Sequence, residues 1–120
     1  MFLGIDFRKL AASFKFAFSG IKIIFQEEQP FRIMVLIGLL VIIAMFYFGL
    51  PLTQKAILFL IIILVLALEL MNSVIEKFLD IIYPQNNHKV KKIKDIFAAI
   101  VLIACFGAAV IGILIFSQYF

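Results

Sequence analysis

Three long apolar segments constrain the fold of this chain more than any other feature of its sequence. They cover Ile33 to Phe48, the stretch from about Gln54 to Tyr83, and the stretch from about Lys94 to Phe116. A helix needs about 20 predominantly apolar residues to cross a bilayer. Of the 120 residues, 66% are hydrophobic and only 15% are charged, an excess that so small a soluble core could not bury. The sequence therefore predicts an all-α membrane protein with three transmembrane helices.

The N-terminal region carries a different pattern. Its apolar side chains recur every three or four positions within an arc of about 80° on a helical wheel, with basic residues on an adjacent flank; they are Phe7, Leu10, Phe14, Phe18, Ile21 and Phe25. This pattern predicts an amphipathic helix in the headgroup layer. We divide the single membrane domain, residues 1–120, into this surface helix at 5–26 and transmembrane helices at 31–49, 53–83 and 93–117.

The basic residues predict the orientation. Of the 11 lysines and arginines, only Lys55 lies in the turn between the first two transmembrane segments. The others lie in the surface helix, at Arg32, or between positions 77 and 94. Because segments rich in Lys and Arg face the cytoplasm, we expect the N-terminus inside and the C-terminus outside. The acidic residues around Glu28 and between Glu76 and Asp95 then share the cytoplasmic side.

The second transmembrane segment carries a polar stripe. On a helical wheel Asn72, Ser73, Glu76 and Asp80 fall within about 60° of Glu69, which lies roughly 16 Å along the axis from Asp80. An intramembrane charge costs at least about 2.5–3.5 kcal/mol and is functional by default. A stripe that only packs helices together would explain an amide or a hydroxyl. It would not explain several carboxylates, so the stripe predicts a catalytic site.

Carboxylates this close together need a counter-charge from elsewhere, because like charges repel. A divalent metal is the simplest source, and Glu28 with Glu76 would suit Mg²⁺, which takes one or two protein carboxylates plus phosphate oxygens. Lys94 could meet a phosphate while a nearby carboxylate, such as the adjacent Asp95, holds it in place. We expect the remaining lysines of this segment to anchor the membrane face; they are Lys89, Lys91 and Lys92.

Four motifs follow one another along the chain. They are Phe16-Ala17-Phe18-Ser19-Gly20-Ile21-Lys22, Glu28-x-x-Phe31-Arg32, Glu69-Leu70-Met71-Asn72-Ser73-Val74-Ile75-Glu76-x-x-x-Asp80, and Lys94-Asp95. In this order they resemble the small prokaryotic diacylglycerol kinase and undecaprenol kinase family, from about Arg8 to Phe116. The chain departs from the family pattern at Lys9, where arginine is usual, at Val74, where alanine is usual, and at Ile96-Phe97, which interrupts a small-residue run.

The resemblance implies a homotrimeric kinase of the bacterial cytoplasmic membrane that phosphorylates a lipid hydroxyl with MgATP. Glu69 would be the general base, and Glu28 and Glu76 would hold Mg²⁺. The ATP site would comprise Lys9, Phe16, Glu28, Asn72, Glu76, Asp80, Lys94 and Asp95. The lipid site would comprise Phe14, Phe18, Arg32, Glu69 and Ala98. The acceptor stays open between diacylglycerol, which gives phosphatidic acid, and undecaprenol; no nucleic-acid partner is expected.

Two other classes of protein also fit a chain with three transmembrane segments. A small proton-coupled transporter would use Glu69 as its relay, but it has no need for the acidic residues at the membrane face. A holin-like pore or structural protein needs neither Glu69 nor Asn72. Phosphorylation of a lipid by labelled ATP would separate the kinase from both.

The sequence also favours a closed oligomer. Ala104, Ala108 and Gly112 recur at a four-residue spacing that lets helices approach closely in a bilayer, although packing within one protomer explains this spacing equally well. The polar stripe favours assembly, because it needs neighbours to shield it from lipid and to supply Lys94. We expect a trimer with sites at the protomer boundaries.

Overall fold

The structure is a computed structural model that describes residues 2–85 and 87–120, and these residues are almost entirely helical. The long helices are α1 (Phe7–Glu27), α2 (Gln29–Tyr47), α3 (Leu52–Ile82) and α4 (His88–Phe116). Short 3-10 turns cover Phe2–Gly4 and Ser117–Tyr119. Three helical segments, Gln29–Tyr47, Leu52–Ile82 and His88–Tyr119, are long and apolar enough to cross a membrane. The all-α fold and the three potential transmembrane helices are confirmed.

Local side-chain chemistry sets the ends of α1 and α2. The Asp6 carboxylate accepts hydrogen bonds from the backbone N–H groups of Arg8 (3.0 Å) and Lys9 (3.4 Å), which satisfies free donors at the start of α1. Glu28 alone separates α1 from α2, with an extended backbone (φ −115°, ψ 107°). Pro30 follows in the first turn of α2, where proline is tolerated because no helical N–H is required. One residue thus forms the corner between these two helices.

The other two connections are also short. Gly49 has a φ of +62°, which a residue without a Cβ adopts at little cost, and Pro51 precedes α3. The Asn87 side chain accepts a hydrogen bond from the backbone N–H of Lys89 at 2.8 Å. This cap starts α4 at His88, so the helix includes residues before the transmembrane segment expected at 93–117.

Helix α3 is the central element. It packs against both α2 and α4, and at 31 residues it is about 46 Å long at 1.5 Å per residue. The hydrocarbon layer is only about 30 Å thick, so one part of α3 must lie outside it. Close approach to α2 depends on Gly38, because a Cβ there would lie 3.1 Å from Cγ2 of Ile62.

The hydrophobic core lies at one end of the bundle. It is built on four buried side chains, Met45, Leu50, Leu58 and Ile115. Among the partly buried residues around them, Phe48 contacts the rings of Phe116, Tyr119 and Phe120 with centroid separations of 5.3–6.2 Å. We call this region, from Met45 to Leu58 together with residues 115–120, the aromatic end.

Helix α1 stands apart from this core. It packs against α2, and Ile24, near its C-terminal end, is its one buried residue. The described chain extends over 50 × 50 × 25 Å, and α3 accounts for only one of the two long dimensions. Most of the segment expected at 5–26 is thus helical, as α1. The amphipathic placement of this helix in the headgroup layer stays a prediction.

Candidate active site

Three polar side chains are buried together on α3. Glu69 is 4% exposed, Asn72 8% and Ser73 1%, although this helix otherwise buries only Leu58 and Leu79. The helical wheel placed all three on one stripe, and the structure buries that stripe between helices rather than turning it toward lipid. Glu76, one turn further along, is half-buried, and Asp80 is exposed.

Two polar atoms of this group have no hydrogen-bond partner among the described residues. They are Oδ1 of Asn72 and Oγ of Ser73. Leaving a buried polar atom unpaired costs about 1–3 kcal/mol, and buried polar groups in native proteins are nearly always paired. Such a cost is expected where side chains serve a ligand or a neighbouring subunit rather than the stability of one chain.

Glu28 and Glu76 are the two carboxylates whose charges act on Glu69. Both act on an ionised Glu69 through an unfavourable Coulombic interaction. Glu76 does so from about two turns further along α3, and Glu28 from the corner between α1 and α2. Glu28 also lies close to the Glu76 region of α3, since the ammonium of the next residue, Lys77, is 3.5 Å from its carboxylate; the catalytic and metal-binding roles of the three carboxylates stay a prediction.

Lys77 is a member of this region that the sequence did not reveal. Its ammonium nitrogen lies 3.4 Å from Oε2 of Glu27 and 3.5 Å from Oε1 of Glu28. It therefore connects α3 to the end of α1 and to the corner residue. The sequence signal was weak, because these partners are far apart along the chain and Lys77 lies just outside the polar stripe.

One ion pair joins α3 to the start of α4, and another lies within α4 itself. The Lys94 ammonium donates a hydrogen bond to Oδ1 of Asp80. Asp95 instead accepts from Lys91 at 2.9 Å, one helical turn earlier. Lys94 is therefore held by Asp80 of its own chain rather than by the adjacent Asp95, since neighbouring residues on a helix point in different directions. Lys91, expected only to anchor the membrane face, has a specific carboxylate partner.

Arg32 holds the corner from the other side. Its Nη1 donates hydrogen bonds to the carbonyl oxygens of Phe25 (3.0 Å) and Gln26 (2.9 Å). These carbonyls belong to the last turn of α1, which has no helical partners for them and carries partial negative charge. Arg32 thus fixes the end of α1 beside Glu28, a structural contact that the sequence did not predict.

The remaining predicted site residues lie on exposed surfaces. Phe14, Phe16 and Phe18 are 60%, 72% and 69% exposed on α1, and Lys9 and Ala98 are exposed as well. Among the described residues, the Lys9 side chain makes no hydrogen bond or ion pair with α3, and the three phenylalanine side chains have no polar group with which to make one. A single chain leaves this part of the predicted site apart from the buried stripe.

The donor set is compatible with a hard cation. Glu28 and Glu76 offer carboxylate oxygens, and the described residues contain no group of three or more His, Cys, Asp or Glu side chains placed to hold a metal. Two carboxylates with the rest of the coordination left to phosphate and water is the arrangement that suits Mg²⁺. A closed zinc site, which uses four Cys or His ligands, is not formed by the described residues.

The fold and the buried stripe define a helical membrane protein with buried polar side chains on its central helix. The chain belongs to the prokaryotic diacylglycerol kinase family, whose model matches residues 15–116. It is 36% identical over 104 residues to a diacylglycerol kinase from Synechocystis sp. (strain ATCC 27184 / PCC 6803 / Kazusa). That match covers 86% of this chain and 59% of the relative's length. Neither match points to a transporter or a pore.

Proposed function

We propose that this protein is a lipid kinase that transfers the γ-phosphate of MgATP to the hydroxyl of a membrane lipid. The observation that carries the proposal is the burial of Glu69, on the same stripe of α3 as Glu76, in a chain of this family. A general base at this depth meets a lipid alcohol more readily than a water-soluble substrate. Phosphoryl transfer needs mainly positioning and neutralisation of charge, which helix-borne carboxylates, a cation and lysine can supply.

In the proposed reaction, Glu69 accepts the proton of the lipid hydroxyl. The lipid oxygen then forms a bond to the γ-phosphorus as the bond from that phosphorus to the β–γ bridging oxygen breaks, and ADP leaves with that oxygen. Glu28 and Glu76 would hold Mg²⁺, which neutralises charge on the phosphates when it is bound. Asn72 would offer its unpaired Oδ1 as an acceptor in the nucleotide site. Lys94, held by Asp80, would supply a positively charged ammonium group in a fixed position.

The other residues of the proposed ATP and lipid sites would complete this centre in the assembled protein. Lys9, Phe16 and Asp95 would complete the nucleotide site. The lipid would be bound by Phe14 and Phe18 of the surface helix, by Arg32, and by Ala98 on α4. Exposed apolar side chains on α1 support contact with the acyl boundary of the membrane.

The test uses purified protein in detergent micelles with γ-labelled ATP, Mg²⁺ and a panel of lipids. Label should appear in a lipid alcohol, and it should disappear when Mg²⁺ is chelated. Diacylglycerol and undecaprenol supplied in competition identify the preferred acceptor. If labelled ATP is turned over without any labelled lipid, or is not turned over at all, the proposal is wrong.

We also propose a homotrimer with sites shared between protomers. Many large apolar side chains on α2, α3 and α4 are exposed in one chain, and Lys9, Phe16 and Phe18 need a neighbour to approach a buried stripe. Two inactive variants with changes on opposite sides of a boundary should recover activity when mixed. With random mixing each site takes the intact half from each side with a chance of one in two, so recovery approaches about 25% of wild type. Pairwise mixtures of surface-helix, Glu28, Glu69 and Asp95 variants that never recover activity would show that each protomer holds a complete site.

A further inference from the structure

Lys77 stands between two acidic side chains that differ in their proposed roles. Its ammonium nitrogen is 3.5 Å from the Glu28 carboxylate and 3.4 Å from the Glu27 carboxylate. Glu28 is the more enclosed of the two, with a side chain 23% exposed against 53% for Glu27. Lys77 therefore already partners one of the two carboxylates that are proposed to bind Mg²⁺.

An ammonium and a divalent cation compete for the same carboxylate oxygens. A paired Glu28 presents little net charge to an incoming cation, so the cation must first displace the ammonium. Displacement is easy here, because the Lys77 side chain is 42% exposed and exposed ion pairs are worth little. Glu27 makes displacement easier still, because its carboxylate can still pair with Lys77 after a cation has bound Glu28.

We infer that Lys77 sets the metal affinity of the site by occupying Glu28 in its metal-free state and remaining with Glu27 once a divalent cation binds Glu28. This inference rests on the proposed function, because it takes Glu28 as a metal carboxylate. Lys77 acts through Glu28 and does not touch the reacting atoms. It is a positioning residue with a measurable effect on one ligand.

The inference predicts opposite changes in divalent-metal affinity for two substitutions that each remove one charge. Lys77→Met frees Glu28 and should tighten divalent-metal binding by about twofold to fivefold, the range that an exposed ion pair allows. Glu27→Gln leaves the ammonium with Glu28 alone and should weaken binding by a similar factor. In the double variant the Glu27→Gln change should have little effect, because its influence passes through Lys77.

The experiment measures Mn²⁺ binding to the full chain in detergent by electron paramagnetic resonance, without lipid, first without nucleotide and then with a saturating non-hydrolysable ATP analogue. Glu28→Gln defines the component of binding that belongs to this site. Lys89→Met removes a lysine near the start of α4 and controls for the loss of one positive charge, with no change expected beyond twofold. Lys77→Arg keeps the charge and should stay close to wild type, which guards against a folding defect in Lys77→Met.

Parallel shifts would overturn the inference. If Lys77→Met and Glu27→Gln both weaken Mn²⁺ binding, Lys77 only holds the corner in place; if neither changes it, the ion pairs have no bearing on the metal. If wild type has no Mn²⁺ component that Glu28→Gln removes, either with or without the nucleotide analogue, the metal role of Glu28 fails and the inference fails with it. Lipid phosphorylation is measured independently, so failure of the kinase proposal and failure of the Lys77 inference are distinguishable.

Discussion

The two ends of the transmembrane bundle are built on opposite principles. At the aromatic end Met45 is completely buried and the polar groups are paired: Tyr119 donates to Oε1 of Gln54 at 3.0 Å, and Nε2 of Gln54 donates to Oε1 of Gln118 at 3.1 Å. At the other end, which we call the acidic end and define by Glu28, Glu69, Asn72, Ser73, Glu76 and Asp80, one carboxylate is buried on the polar stripe and two buried polar atoms have no hydrogen-bond partner among the described residues.

This contrast indicates a division of labour along α3. Packing and satisfied hydrogen bonds at the aromatic end can stabilise the helices, while the acidic end holds groups in arrangements that cost stability, as the proposed catalytic function would require. Substitutions at the acidic end should therefore change activity more than stability, and those at the aromatic end should do the reverse. The four predictions below test this contrast, from the largest expected effect to the smallest.

Glu69→Gln should lower the rate of phosphoryl transfer by about 10²–10⁴-fold, the usual contribution of a general base. The amide keeps the shape of the side chain and removes only the proton acceptor, so oligomer size and ATP binding should stay close to wild type. Turnover with labelled ATP and lipid gives the rate, and chromatography in detergent gives the oligomer size. A rate within a few-fold of wild type would remove Glu69 from this role.

Glu28→Gln and Glu76→Gln should raise the Mg²⁺ concentration needed for half-maximal activity by about tenfold or more, as well as lowering turnover, because each loses a charge that would hold the cation. Titration of activity against Mg²⁺ at saturating ATP measures the shift. Unchanged titration curves for both variants would place the metal elsewhere.

Met45→Ala should lower stability by about 2 kcal/mol with little change in the Mg²⁺ dependence of activity. This is the lower part of the range for truncating a buried methionine. The Met45 side chain is in apolar surroundings whether the helices are packed or separated in the bilayer, so the variant loses only packing contacts. Unfolding in mixed micelles measures the loss. Met71→Ala, at a methionine that is 54% exposed, is the matched control and should change stability much less. Equal losses would show that Met45 belongs to no specific core.

Tyr119→Phe should have the smallest effect, a loss of about 0.6 kcal/mol, the average for hydrogen bonds between transmembrane helices. It removes the hydroxyl that donates to Gln54 and keeps the ring beside Phe48. Tyr47→Phe provides the control, since Tyr47 is 81% exposed. A loss of activity in Tyr119→Phe without a loss of stability would break the proposed division between the two ends.

The residues that the sequence predicted well are those whose position depends on helix periodicity. Glu69, Asn72 and Ser73 share a face because 3.6 residues complete a turn, and the cost of a carboxylate at this depth pointed to burial. The apolar segments likewise indicated the three potential transmembrane helices directly. Both signals are contained in short stretches of sequence.

Contacts between helices could not be predicted in this way. Asp80 rather than Asp95 holds Lys94, Lys77 reaches Glu28 across the corner, and Gln54 meets Tyr119 from 65 positions away. Each depends on how the helices are turned and tilted, which residue spacing does not give. The start of α4 is different: Asn87 is a favourable capping residue, so that helix end was predictable from local chemistry.

The corner at Glu28 has a mechanical consequence. Helix α1 has 21 residues and is therefore about 31 Å long, and it is joined to α2 through one extended residue. A swing of about 5° around that pivot would move the far end of α1 by about 3 Å at this length, while the pivot itself would scarcely shift. If α1 lies in the headgroup layer as the sequence predicts, such a swing would let it follow undulations of that layer, while Arg32, bonded to its last turn, keeps the carboxylate at the pivot steady.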